Sequence, residues 1–208
     1  MKISKHVHSC LLVEDLGKKF LLDPGNYTFE EKALNLDSLG DLDYLLITHE
    51  HPDHMYLPFV KELVSKFPEV KIISNSSVIE ILAKEGIKAS SEEDEFVKLE
   101  EVPHEKVFSG EPPKNVMITV ANKLADPGDS HHFQTSAPIL ALPIQAPWGS
   151  TTAAVELAKS LKPQTIIPIH DWHWNEKARQ TMYKRLEEFF KTLNIRFIGL
   201  ETGQEIEI

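Results

Sequence analysis

Ten histidines occur in the 208 residues, and most fall in tight groups: 6/8, 49/51/54, 131/132 and 170/173. Grouped histidines with carboxylates nearby are the form that metal sites take in sequence. The densest group is His49-Glu50-His51-Pro52-Asp53-His54. In an extended segment His49 and His51 point to the same side, so both imidazoles reach one ion. Pro52 bends the chain, and Asp53 and His54 then face a neighbouring position. Nitrogen and carboxylate donors without thiolate suit Zn²⁺, Mn²⁺ or Fe²⁺ rather than a cysteine-rich structural zinc site. The bland alternative is a surface loop that happens to be rich in histidine. The lone cysteine, Cys10, permits no intramolecular disulfide and no thiolate cluster, and reads as a small buried apolar residue.

Such a cluster needs rigid elements behind it. Tyr44–Thr48 is a compact apolar run between polar flanks, the pattern of a buried strand, and it runs directly into His49. Thr165–Ile169 is a second such strand, ending at His170. Ligands from two buried strand ends can converge on one rigid pocket. Before them, Val7–Glu14 and Lys19–Asp23 read as strands joined by a turn at Asp15-Leu16-Gly17, with a stop at Asp23-Pro24-Gly25. Residues 26–40 are polar and irregular, with room for a short helix. Leu57–Phe67 has helical spacing with Pro58 in its first turn. A strand at Lys71–Ser74 and a helix from Ser77 to Glu85, stopped by Gly86, follow. After the acidic segment 89–95 come strands at Phe96–Val102 and Asn115–Ala121, separated by a Pro/Gly-rich loop at 109–114. Ile139–Pro143 is another apolar strand. Thr151–Leu161 is a helix capped by Ser150 or Thr151, and Glu176–Leu193 is the longest amphipathic helix. Short strands at Arg196–Leu200 and Glu205–Ile208 close the chain. Strands alternating with helices argue for an α/β fold. No low-complexity tract, linker or tandem repeat is present.

The motif THEHPDH, after its apolar strand, resembles the His-x-His-x-Asp-His signature of the metallo-β-lactamase superfamily. HSCLLVE with KKFLLDPG, and GDLDYLLITHEHPDH, are similar to the opening hairpin and metal strand of its ascorbate-6-phosphate lactonase-like branch. The resemblance covers nearly the whole chain, and the metal motif is its specific part. It implies an αββα four-layer sandwich, with two mixed sheets face to face and helices outside. It also implies a ligand set. His49, His51 and His104 would hold one cation, Asp53, His54 and His170 the other, and Asp129 would be shared. Asp129, in Pro-Gly-Asp-Ser, matches the bridging position better than Asp126, which lacks the preceding glycine. Asp23 resembles the aspartate that orients a ligand histidine, although Asp-Pro-Gly also makes a turn without any chemistry. His8 and Ser9 stand where that branch often has a similar pair, with a structural hydrogen bond as the equal alternative.

The expected chemistry is hydrolysis of an ester, lactone or related small molecule, with Asp53, Asp129 and His131 as the catalytic candidates. Two cations would share a water, lower its pKa and polarise the electrophilic oxygen. His131 and His132 directly follow Asp129, so one of them can contact substrate or donate a proton; an exposed pair without function is the alternative. Trp148, Trp172 and Trp174 adjoin expected ligands and can wall a pocket, or simply pack. A phosphodiesterase or nuclease, and a non-catalytic metal-binding protein, are the competing readings. A redox diiron centre is disfavoured because His51 stands where a glutamate would be expected.

The net charge of −10, from 32 acidic and 22 basic residues, disfavours nucleic acid as a partner. No apolar run is long enough for a signal-peptide core or a membrane span, so a cytoplasmic protein with no membrane partner is expected. Length predicts one domain over residues 1–208. A small-molecule substrate is the expected partner, and a homo-oligomer is compatible with the sequence.

Overall fold

The computed structural model describes residues 1–108 and 110–208, so the first position of the loop expected at 109–114 lies outside the described residues. The opening differs from the sequence expectation. Instead of one strand over Val7–Glu14 there are two, β1 (Lys2–Lys5) and β2 (Leu11–Asp15), with a turn between them. The alternation of Val7, Ser9, Leu11 and Val13 imitates a strand, but Val7 and His8 both have positive φ (69° and 54°), which breaks the pleat. β3 (Lys18–Leu22) returns antiparallel to β2 through Leu16-Gly17, where both residues take the positive φ that a tight hairpin turn demands.

From there the chain follows the expected alternation. After a short helix α1 (Asn26–Glu30), β4 (Tyr44–Ile47) and β5 (Lys71–Ser74) add parallel to β3; α2 (Leu57–Lys66) is the crossover between β4 and β5, and α3 (Ser76–Lys84) follows β5 and packs with α2. β1 also pairs with the last strand, β12 (Glu205–Glu207), giving a first sheet of order β12-β1-β2-β3-β4-β5. The second sheet is built from β6 (Val97–Glu101), β7 (Val116–Val120), β8 (Leu124–Asp126), β9 (Ile139–Pro143), β10 (Thr165–Ile169) and β11 (Arg196–Phe197), in the order β11-β10-β9-β8-β7-β6. β8 was not expected. Three residues are too few to show a period of two, and the turn before it uses Ala121 and Asn122 at positive φ instead of a glycine. α4 (Thr151–Leu161) and α5 (Glu176–Lys191) cover this sheet. Ser150 caps α4 by accepting from Ala153 N at 3.2 Å, as its sequence position suggests.

The strand pattern dictates the layers. Along β4, Leu46 packs between the sheets with Phe20, Leu22, Ile118 and Ile167, while Leu45 and Ile47 turn outward to meet Val60 and Leu63 of α2 and Val78 and Leu82 of α3. On the other side, Leu140, Leu142 and Ile166 pack against Ala154, Leu186 and Phe190 of α4 and α5. Strands apolar on both faces must be covered on both faces, and the result is two mixed six-stranded sheets with helices outside. Truncating the fully buried Leu63 to alanine would cost about 2–5 kcal/mol and loosen α2 from its sheet. No helix among the described residues is long and apolar enough to cross a membrane.

Candidate metal centre

The residues that follow β4, β8 and β10 meet at one edge of the sandwich, together with the β1–β2 turn and the loop after β6. Two groups of donor atoms form there, each with all its members within 4.8 Å of one another: His49, His51, His104 and Asp129, and His8, Asp53, His54 and His170. Every ligand position expected from the sequence falls in one of them. His8 is an addition, for which the sequence offered an ordinary hydrogen bond as an equal reading.

Local backbone explains the aim of the side chains. Asp23, His8 and His170 all have positive φ (47°, 54° and 64°), so each strand or turn end twists into the left-handed region that Asp and His tolerate better than most residues. Gly25 packs against the main chain of Asp53 so closely that a Cβ would lie 1.9 Å from the Asp53 carbonyl oxygen. Gly128 needs φ +56°, and a Cβ there would sit 2.3 Å from Asn115 Oδ1 and 2.8 Å from Thr48 Oγ1. That close approach lets the chain enter beneath β4 and deliver Asp129 between the two groups.

Hydrogen bonds fix the tautomers. The His54 Nδ1–H donates to Asp23 Oδ2 at 2.6 Å, because a carboxylate only accepts. Asp23 is itself held by Thr48 N and Thr48 Oγ1, both at 2.8 Å. With its proton committed to Asp23, the Thr48 oxygen accepts from His49 Nδ1 at 3.1 Å. The His104 Nδ1–H donates to the Glu105 carbonyl at 2.6 Å. In the neutral tautomers these bonds set, His49, His54 and His104 turn a bare Nε2 inward. The Nε2 of His104 is a buried nitrogen without a hydrogen-bond partner among the described residues. His54 Nε2 and His170 Nε2 lie 3.0 Å apart, and His49 Nε2 and His51 Nδ1 lie 3.2 Å apart.

Asp129 joins the groups. Its Oδ1 lies 2.7 Å from His170 Nε2 and 3.0 Å from His54 Nε2, yet is directed along the hydrogen-bonding axis of neither. Its Oδ2 faces His104 Nε2 at 3.4 Å and His49 Nε2 at 3.8 Å, and accepts from Trp148 Nε1 at 2.8 Å. Burial raises the proton affinity of Asp129, but His170 and His54 outweigh it and hold the carboxyl well below its ordinary range. Burial pushes His54 towards the neutral form, but Asp129 and Asp23 reverse this and raise its pKa well above the usual value, so a cation at its Nε2 must displace a proton. His49 and His51 are driven neutral, mainly by burial and then by their neighbours His54 and His104. Converging lone pairs beside the Asp129 and Asp53 carboxylates, both held below their ordinary range, make a cradle for positive charge, and the donor types suit divalent transition-metal ions.

Asp126 has another environment. It is fully buried, and burial together with Asp23 pushes its pKa well above the ordinary range, while its Oδ1 accepts from Gly128 N at 3.0 Å. It belongs to neither donor group.

The groups open into a cleft of about 410 Å³ lined by Asn26, Tyr27, Pro52, Lys106, Val107, Phe108, Pro147, Trp148 and His173 as well as His51, Asp53, Asp129 and His170. The three tryptophans have separate tasks. Trp148 walls the cleft and holds Asp129, and Trp172 stacks on Tyr27 at 3.9 Å between ring centres, whereas Trp174 is half-buried against the core that α4 and α5 cover. His131 does not line the cleft: its Nε2 donates to the Pro143 carbonyl at 2.9 Å, with its ring behind Trp148. His132 is exposed and pairs with Glu105 at 3.2 Å. Cys10 is buried, and burial pushes its thiol up to about 12.

Comparison with known proteins agrees with this geometry. The family profile described as "Beta-lactamase superfamily domain" matches residues 2–170. A UPF0173 protein of Pyrococcus furiosus is 26% identical over 204 residues, covering 90% of this chain and 91% of its own. A UPF0173 metal-dependent hydrolase of Flavobacterium johnsoniae is 33% identical over 92 residues, covering 43% of this chain and 38% of its own. Among solved structures, a metallo hydrolase of the archaeon Ignicoccus hospitalis superposes with a TM-score of 0.71 at 17% identity, covering 100% of this chain and 98% of that one.

Proposed function

The chain belongs to the β-lactamase superfamily, and on that premise we propose that it is a dinuclear metal-dependent hydrolase acting on an ester, lactone or related small molecule. The observation that carries this reading is Asp129, which turns one carboxylate oxygen towards each group of imidazoles. His49, His51 and His104 would hold one cation, Asp53, His54 and His170 the other, with Asp129 shared. Bound divalent cations supply Lewis acidity and lower the pKa of water towards neutrality, which is the requirement for hydrolysis without a serine or cysteine nucleophile.

The chain's own residues do the rest. Asp23 and Thr48 keep the imidazoles of His54 and His49 in the tautomer that presents a lone pair. The indole of Trp148 fixes Asp129 and closes one wall against water. Asp53 and Asp129 reach the cleft and can carry a proton to the leaving group, and His173 faces the same space. His131 is assigned a supporting place behind Trp148 instead of a proton-transfer role, because its Nε2 proton is committed to Pro143.

The substrate reading follows from the walls. Tyr27, Pro52, Val107, Phe108, Pro147 and Trp148 are apolar or aromatic, and Lys106 is the one lysine or arginine among the lining residues. A single ammonium is thin provision for a phosphorylated sugar acid, so within a lactonase-like activity an apolar ester or lactone is favoured. The test is a panel of p-nitrophenyl esters, γ- and δ-lactones and bis-p-nitrophenyl phosphate, with metal content measured by elemental analysis. Two metals per chain and chelator-sensitive ester or lactone hydrolysis are expected. Preference for the phosphodiester would replace the substrate reading, and turnover that persists after the metal is stripped would end the metal-dependent one.

A further inference from the structure

The turn between β1 and β2 is expensive to build. Val7 and His8 are consecutive non-glycine residues at positive φ, and for a β-branched valine that is a true outlier. The turn is locked by His6 N donating to the Cys10 carbonyl at 2.8 Å and Cys10 N to the Val7 carbonyl at 3.0 Å. What this conformation delivers is the His8 side chain, 1% exposed, into the second donor group. Its ring centre lies 3.9 Å from that of His170 and 5.1 Å from that of Tyr27, and its main-chain carbonyl accepts from His170 N at 3.4 Å. His8 Nε2 is 3.2 Å from Asp53 Oδ2. Among the described residues this is the one hydrogen bond to the Asp53 carboxylate, which otherwise stands at the cleft with His170 Nε2 at 3.9 Å.

We propose that His8 is a positioning residue of the second metal position, donating its Nε2–H to Asp53 and holding that carboxylate in line with His54 and His170. The inference rests on the metal reading above and adds to it a residue outside the His-x-His-x-Asp-His motif. A carboxylate only accepts, so the nitrogen facing it carries the proton and has no lone pair to offer a cation. Without that donor, Asp53 sits in a turn at the cleft edge with no other hydrogen bond among the described residues to choose its rotamer, and ligand-orienting partners of this kind govern metal affinity. The strained turn is the geometric requirement for reaching Asp53 from the first sheet while His170 arrives from the second.

The test compares metal-stripped wild type, His8→Ala, His8→Gln and Asp53→Asn by zinc titration calorimetry and by thermal melting of the stripped proteins. Glutamine places an amide N–H near the position of Nε2. The expected result is two sites in wild type and an unchanged tighter or looser site belonging to His49, His51 and His104. The other site, the same one that Asp53→Asn weakens, should lose about 10–100-fold in affinity in His8→Ala and recover most of it in His8→Gln. The stripped proteins should melt alike. Wild-type affinity at both sites in His8→Ala overturns the proposal. So does a His8→Gln variant as weak as His8→Ala, which would make His8 a ligand or a packing residue. Loss at both sites together with a lowered melting temperature means a structural role and overturns it too. A wild type that binds no metal ends the metal reading itself, and this inference with it.

Discussion

Asp126 and Asp129 are three residues apart and both buried, yet their surroundings push their proton affinities in opposite directions. His170 and His54 lower the pKa of Asp129 against the cost of burial, whereas burial and then the neighbouring Asp23 raise that of Asp126 well above the ordinary range. A neutral amide is therefore a milder change at Asp126 than at Asp129. Asp129→Asn is expected to lose at least one metal and about 100-fold or more in turnover, while Asp126→Asn retains both metals. Elemental analysis of the two purified variants checks this, and equal metal loss in both would mean that the shared carboxylate has been assigned wrongly. Gly128 is the residue that makes the Asp129 position reachable. Gly128→Ala combines a left-handed φ with a Cβ 2.3 Å from Asn115 Oδ1, so a loss of about 1–3 kcal/mol is expected, read as a shift of the urea midpoint at unchanged slope. An alanine variant as stable as wild type would show that β4 can move away from this turn.

At the scale of elements, the end of the sandwich opposite the donor groups is tied by Asp94. The carboxylate accepts from Tyr44 OH at 2.9 Å and Lys71 Nζ at 2.8 Å, at the starts of β4 and β5. It also accepts from Phe96 N and Val97 N, at 2.9 and 3.0 Å, where β6 begins. One side chain thus joins the first sheet to the second. Its partial burial opposes ionisation, but the Lys71 ammonium and the other donors prevail and hold the pKa at about 2, below the ordinary 3.8. A carboxylate with a lowered folded-state pKa contributes stability above its unfolded pKa and loses it as pH falls through the folded one. Asp94→Asn should therefore be about 1–2 kcal/mol less stable than wild type at neutral pH. The gap should close between about pH 4 and pH 2, and denaturant titrations across that range decide the matter. A gap that persists at pH 2 would place the effect in packing. Turnover at neutral pH should be unaffected, because Tyr44 opens β4 and the donor residues follow its other end.

Across the whole molecule, the donors come from both sheets: His8, Asp53 and His54 belong to loops of the first, and His104, Asp129 and His170 to loops of the second. Bound cations would therefore staple the two halves, and binding to the folded state alone becomes folding free energy. With metal at about 100 times its Kd the gain is about 2.7 kcal/mol, equivalent to roughly 5–10 °C in Tm for a chain of this size. Melting curves of the metal-loaded and chelator-stripped protein test it. Coincident curves would mean that the donor groups bind no cation strongly enough to link the sheets.

Much of this was already present in local sequence. The apolar runs of β4 and β10, each delivering histidines from its end, and the periodic faces of α2, α4 and α5 were legible because burial on one or both faces writes a short-range pattern into the chain. The donor cluster 49–54 was legible for the same reason, since its residues are neighbours in the chain before they are neighbours in space. Other features had no local signal. The break at Val7-His8 is hidden by an alternation that continues through it, and β8 is three residues long. The raised pKa of Asp126, the Trp148 bond to Asp129, and the separation of His131 from the cleft depend on groups far away in sequence. The sequence by itself determined which residue types can hold cations and which strands present them. Only the tertiary structure decided that Asp129 faces both groups and that His8 stands behind Asp53, because charge, tautomer and aim are set by partners that the fold alone brings within about 3 Å.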